Sequence, residues 1–204
     1  MDMSREQITR EAARLLYSRK VKEYKDAKEM AAKDLGTRSL PSNYDIAIEL
    51  DNLTEEHEGS ERLSRLVEMR RIALEVMRRL WDYDPVLIGS VWRGTNRQGS
   101  DIDIVVYHDD PEIVKENLRE YNIIVIDKKT FILSGLPRSS AHLTLQVKEY
   151  PVEVVIRPLH DKEYYKDERC DVYGDIKRGL KLPELEKLIQ TDPLRRFIPK
   201  RRSR

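Results

Sequence analysis

Two aspartates set two residues apart, Asp101 and Asp103, open the apolar run DIDIVVY at residues 101–107. Side chains alternate across an extended strand, so both carboxylates project from one face. Carboxylates held this close repel, and one keeps its proton unless a cation joins them. Mg²⁺ suits such a pair, because it takes oxygen ligands, retains some waters and completes its shell with substrate phosphates. Upstream, the short apolar run VLI ends in Gly89-Ser90. Glycine lets backbone approach a phosphate closely, and a serine hydroxyl with helix N-terminal amides can donate to its oxygens. Arg93 and Arg97 lie in the same turn, where guanidinium groups could offset triphosphate charge. The stretch LIGSVWRGTNRQGSDIDIVVY, residues 87–107, contains neither GxxxxGK[ST] nor GxGxxG, so any phosphate site here is of another kind.

A third carboxylate would complete a clamp for two ions, and Glu153 is the candidate. It interrupts the strand PVEVVIRP, in which Val152, Val154 and Ile156 share one face while Glu153, Val155 and Arg157 share the other. If that strand neighbours 101–107, Glu153 meets the aspartate pair. The four histidines form no metal-ligand cluster, which argues against zinc. His57 and His108 are expected at the surface, with His142 and His160 near the site. Cys170 is expected to be a small packing or exposed residue, and as the single cysteine it excludes an internal disulfide.

The elements that must position these residues change character along the chain. Helical periodicity covers 4–35, with Ser4 as a cap and a stripe of Ile8, Ala12, Leu15 and Leu16 resumed by Ala27, Met30 and Ala31. The turn formers of TRSLPSNYD precede a short helix at 44–50. A second long helix from Ser60 to about Leu80 carries Leu63, Leu66, Ala73, Val76 and Leu80, with arginines 62, 65, 71, 78 and 79 looking outward. From Pro85 strands are expected at 86–90, 101–107, 122–128, 142–148 and 152–157, with helices at 111–119 and 183–190. Five strands with few helices between them describe a mixed sheet. The expected division is a helical region 1–80, a core 81–160 and an extension 161–204.

The chain has 204 residues, 38 basic and 37 acidic, for a net charge of +1. That balance excludes a uniformly basic nucleic-acid wrapper and an acidic disordered chain. The three regions carry net charges of zero, −3 and +4. The final ten residues, RRFIPKRRSR, hold six of the basic side chains and could meet phosphates. No run approaches 18 apolar residues, and the N-terminus has no apolar signal core, so a cytoplasmic protein without a membrane partner is expected.

GSVWRGTNRQGSDIDI, followed by a later carboxylate strand, resembles the nucleotidyltransferase superfamily related to DNA polymerase beta. The longer form is similar to archaeal-type tRNA CCA-adding enzymes and to minimal nucleotidyltransferases. AHLTLQ at 141–146 resembles the strand preceding the third carboxylate in the CCA-adding group, with His142 in the corresponding place. The resemblance covers residues 86–158 and implies an α/β (α+β) fold, a mixed β-sheet core with N-terminal helices and a short C-terminal extension. It implies that Gly89 and Ser90 hold the β and γ phosphates of a nucleoside triphosphate such as ATP, with Arg93 and Gly94 completing the turn. It further implies that Asp101 and Asp103 bind both of two Mg²⁺ ions and that Glu153 binds the one activating the acceptor hydroxyl. The family usually has Asp at that third position.

The activity implied is Mg²⁺-dependent transfer of a nucleoside monophosphate to a hydroxyl, with RNA or another macromolecule such as a protein favoured as acceptor. Two alternatives remain open at this point. One is a degenerate nucleotide- or partner-binding protein that meets a second copy or a helical partner through its helices. The other is a small-molecule enzyme resembling the antibiotic nucleotidyltransferases.

Overall fold

A computed structural model describes residues 3–36, 40–133 and 136–200. The Ser4 side chain, residues 37–39 of the turn-rich segment and the last four residues of the basic tail lie outside what it describes. The chain forms two compact units. One is built on the residues up to Ser60 with Arg169–Asp175 and the chain from Pro199; the other comprises Glu61–Glu168 and Ile176–Ile198.

In the first unit the helix expected over 4–35 is two helices, α1 (Met3–Tyr17) and α2 (Tyr24–Asp34). The break follows from composition, since SRKVKEYKD supplies little apolar surface, and Arg19 takes a left-handed conformation at φ 58°. Ile8, Ala12, Leu15 and Leu16 pack against Ala27, Ala31 and Ala32 and against Ile46 and Leu50. Met30 faces outward instead of joining this stripe. α3 (Asn43–Arg79) is kinked at Gly59, so the helix expected from Ser60 begins at that break, while the helix expected at 44–50 continues through the acidic stretch. Ser42 caps it: its hydroxyl accepts from the Asp45 amide at 3.1 Å and donates to the Asp45 carboxylate at 2.7 Å. Gly59, at φ 46° and ψ −129°, is non-helical within α3, a conformation that favours glycine.

The second unit holds the sheet. Its strands are β1 (Val86–Ile88), β2 (Ile102–Tyr107), β3 (Asn122–Leu133), β4 (Leu136–Val147), β5 (Tyr150–Arg157) and β6 (Leu180–Lys181). Their order is β3-β4-β5-β2-β1-β6, with β2 and β5 parallel and the other pairs antiparallel. Three short or mid-length helices complete it: α4 (Gly89–Arg93), α5 (Pro111–Glu116) and α6 (Leu182–Thr191). This is the mixed sheet expected, with longer β3 and β4 and an additional strand, β6. Ile102, Ile104 and Val106 of β2 and Val152, Val154 and Ile156 of β5 share one core with Leu66, Met69, Ala73 and Val76 of α3 and with Leu80 just after it. Leu63 stays exposed.

Arg62 departs from the outward-looking face expected of α3, and Arg70, which lies on the same helix, is buried as well. Arg62 is buried, its Nε donating to the Asn96 carbonyl at 2.8 Å while the Asn96 amide donates back to the Arg62 carbonyl at 3.3 Å. Arg70 is fully buried and donates to the carbonyls of Val91, Trp92, Pro193 and Arg195 at 2.7–3.1 Å. Val91 and Trp92 belong to the last turn of α4, whose carbonyls lack partners within the helix, and the arginine fork supplies them. Desolvation lowers the Arg70 pKa to about 10, which leaves it charged at neutral pH. Arg71, Arg78 and Arg79 stay exposed, Arg78 paired with Glu186 and Arg79 with Glu120 at 2.6 Å.

Arg70→Met should therefore strand four carbonyl acceptors and cost about 3 kcal/mol or more of unfolding free energy. Arg70→Lys should recover only a minority of that loss, because one ammonium cannot fork. Urea denaturation of the three proteins checks this; equal midpoints for Arg70→Lys and wild type would contradict it.

Candidate metal centre

Strand register builds the centre. Parallel pairing sets Asp103 of β2 beside Glu153 of β5, and antiparallel pairing sets Ile88 of β1 on the other side of Asp103. Asp101 lies just before β2. The ligand oxygens of Asp101, Asp103 and Glu153 all lie within 4.8 Å of one another, with Asp101 exposed and the other two half-buried. Burial first, then the charges of Asp101 and Glu153, push the Asp103 carboxyl up to about 8. Without a counter-cation, Asp103 therefore holds its proton at neutral pH. Three hard oxygen donors around a carboxyl that ionises only at a cost fit Mg²⁺ better than a softer metal.

Gly89 adjoins this cluster. It sits at φ 69°, and a Cβ there would collide with the Asp103 carboxylate. The glycine therefore makes room for the Asp103 carboxylate. It opens α4, in which Ser90 is half-buried and its carbonyl accepts from the amides of Gly94 and Thr95. Gly94 closes the turn at φ 72°, where a Cβ would come within 3.1 Å of the Arg196 side chain. Arg93 is buried: its guanidinium lies 4.3 Å from the Trp92 ring centroid and donates to the Phe197 carbonyl at 3.0 Å. That head group anchors the C-terminal segment against α4. Arg97 is half-buried, its backbone closing a turn with Ser100 through reciprocal bonds of 3.0 and 2.9 Å.

Glu153 is itself held. His142 Nδ1 lies 2.7 Å from its Oε1, and Lys129 Nζ lies 3.7 Å from the same oxygen. An ionised carboxylate only accepts, so Nδ1 carries the proton and donates. His142 Nε2, 2.9 Å from Ser140 Oγ, then accepts from that hydroxyl in the neutral ring. This chain of contacts fixes the rotamer of Glu153. Lys129 is the residue that sequence reasoning missed. Strand β3 was expected to stop at 128, whereas pairing of Lys129 with Ser140 carries it onto the site edge. His160 is exposed beside Asp161 and contributes no contact to this cluster among those described.

Residues 69–178, just over half of the chain, match the family model described as the nucleotidyltransferase domain. No curated protein matches the chain. Among solved structures, it is similar to a GLD-2/RNP-8 complex at 13% identity and a TM-score of 0.34, over 61% of this chain and 45% of that one. It is also similar to a poly(A) polymerase complex of GLD-2 with GLD-3, at 13% identity and a TM-score of 0.33, over 62% of this chain and 43% of that one. Cid1 poly(U) polymerase with MgGTP matches at 16% identity and a TM-score of 0.29, over 54% and 36%. The chain spans less than half the length of each of these.

The raised Asp103 pKa has a signed consequence for stability. Between pH 3.8 and about 8 the folded state holds a proton that the unfolded state has released, so metal-free stability falls as pH rises through that window. Asp103→Asn should flatten this fall and leave the metal-free protein more stable than wild type on the alkaline side. Urea denaturation in chelator, at mildly acidic and mildly alkaline pH, measures both; an Asn variant weaker than wild type at alkaline pH would refute it.

Proposed function

Since the chain belongs to the nucleotidyltransferase domain family, we propose that it is a magnesium-dependent nucleotidyltransferase, moving a nucleoside monophosphate from a nucleoside triphosphate to an acceptor hydroxyl. The observation that carries this reading is the convergence of Asp101, Asp103 and Glu153 from one loop and two paired strands. In the reaction the acceptor oxygen bonds to the α-phosphorus, the bond from that phosphorus to the bridging oxygen breaks, pyrophosphate leaves and the hydroxyl proton passes to solvent. Mg²⁺ held by Asp101, Asp103 and Glu153 would lower the pKa of the acceptor hydroxyl and offset charge on the triphosphate and the leaving pyrophosphate.

The side chains divide the remaining tasks. Asp101 and Asp103 hold the metal, and Glu153, oriented by His142, holds the acceptor side. Gly89 and Ser90 receive the phosphates, with Gly94 shaping the turn and Arg97 adding positive charge. Arg93 serves the phosphates indirectly by keeping α4 in place. RNA is the favoured acceptor, supported by the exposed Arg195 and Arg196 against the Gly94 turn. Within the family, GSVWRGTNRQGSDIDI and AHLTLQ support kinship with archaeal-type CCA-adding enzymes and minimal nucleotidyltransferases.

The reading assigns function to a helical region 1–80, a core 81–160 and an extension 161–204, a partition by role and not by packing. It also places the protein in the cytoplasm, with a second copy or a protein partner on the helices. No helix among the described residues is long and apolar enough to cross a membrane.

Incubation with each labelled nucleoside triphosphate, Mg²⁺, total RNA and total protein should transfer label to one fraction. Asp101→Ala with Asp103→Ala should reduce that transfer by about a thousandfold or more. Transfer that survives the double substitution, or none by wild type to any fraction, would overturn the reading. His142→Ala should lower turnover by about tenfold to a hundredfold and raise the Mg²⁺ concentration needed for half-maximal rate. An unchanged Mg²⁺ dependence would remove His142 from a positioning role.

A further inference from the structure

Glu153 commits one of its two oxygens before any metal arrives. His142 Nδ1 lies 2.7 Å from Oε1, and Lys129 Nζ lies 3.7 Å from the same atom. A carboxylate oxygen has two lone pairs, so Oε1 is taken up by a hydrogen bond and an ion pair, and Oε2 is the oxygen left for a metal. Strand register brings the lysine there. Lys129 is the partner of Ser140, and alternation puts Ser140, His142 and Thr144 of β4 on one face with Glu153, the partner of Thr144. The ammonium also lies 3.4 Å from His142 Nδ1, whose proton already goes to Oε1. Among the described ion pairs, those that reach the three carboxylates both end on Glu153 Oε1.

Charge sets how many ions such a centre can take. Two divalent ions about 3.5–4 Å apart are held together only where shared carboxylates and substrate oxygens offset their repulsion. Here the chain brings a cation of its own. Three ionised carboxylates, one ammonium and one divalent ion are already balanced. A second divalent ion on Glu153 would meet the ammonium at close range, where like charges repel most. Deterring other strands at the sheet edge asks for a charge, and Lys128, exposed beside it, serves that end. It does not ask for a charge folded inward onto a metal ligand.

We propose that Lys129 is a built-in counter-cation: its ammonium supplies beside Glu153 the positive charge that a second divalent ion would bring, so the centre takes one ion, shared by Asp101, Asp103 and Glu153. The proposal rests on the transferase reading for its role in catalysis, while the number of ions bound is separable from turnover. The full chain is titrated with Mn²⁺ in the absence of nucleotide, since carboxylate sites for Mg²⁺ also accept Mn²⁺. Electron paramagnetic resonance counts the bound ions and shows whether two of them are magnetically coupled. Wild type should bind one ion with the spectrum of an isolated centre. Lys129→Met should bind two, coupled to each other. Lys129→Arg, which keeps the charge, should return the count to one, as should Glu153→Gln added to Lys129→Met.

Two coupled ions or none in wild type, or a single ion in Lys129→Met, would overturn the proposal. So would a coupled pair in Lys129→Arg, or a pair that survives the added Glu153→Gln. If loss of Lys129 adds a coupled ion to a protein that transfers no label, the counter-cation stands and the transferase reading falls. Label transfer by a wild type that binds two coupled ions removes the counter-cation alone.

Discussion

Mutual repulsion among three carboxylates is the constraint around which the second unit is organised. The parallel pairing of β2 with β5 sets Asp103 against Glu153 with no freedom to separate them, because both backbones are locked in the ladder. β1 adds burial from the opposite side, and Gly89 gives up its side chain to leave room for Asp103. The sheet therefore holds in the folded state a cluster that is unfavourable until a proton or a cation joins it. Strain of this kind persists only where the surrounding structure over-determines it. The apolar contacts of β2 and β5 with α3, on the far face, provide that excess.

Buried guanidinium groups fasten the phosphate turn to this scaffold. α4 has only five residues and cannot satisfy its own carbonyls, so Arg70 reaches in from α3 to accept that task. The same fork holds the carbonyls of Pro193 and Arg195, and Arg93 holds that of Phe197. One set of cations thereby links α3, α4 and the C-terminal segment. Positive charge in this chain is thus spent partly on its own backbone, and a count of arginines overstates what remains for a polyanion.

Much of the centre could be seen in the sequence because strand parity is a local rule. Asp101 and Asp103 at i and i+2, and Glu153 alone among valines, announce a shared face before any pairing is known. The adjacency of β2 and β5 could only be a condition, since register is decided by long-range packing. Arg62 and Arg70 were illegible for a related reason: a charge on a helix looks solvated until the carbonyls it serves, from residues 91–96 and 193–195, are brought to it. β6 has two residues, too few for alternation to register. Lys129 became visible only when β3 continued past its apolar run.

Lys129 also sits on a boundary of another sort. β3 is the terminal strand of the sheet, and Asp127, Lys128, Lys129 and Thr130 are exposed along it. An outer strand of 12 residues offers backbone donors and acceptors to any extended chain, and charged side chains are the usual deterrent to such pairing. The cation beside Glu153 is thus also a guard against edge-to-edge aggregation. An apolar replacement that left the carboxylates undisturbed would therefore still open this edge to a neighbouring strand.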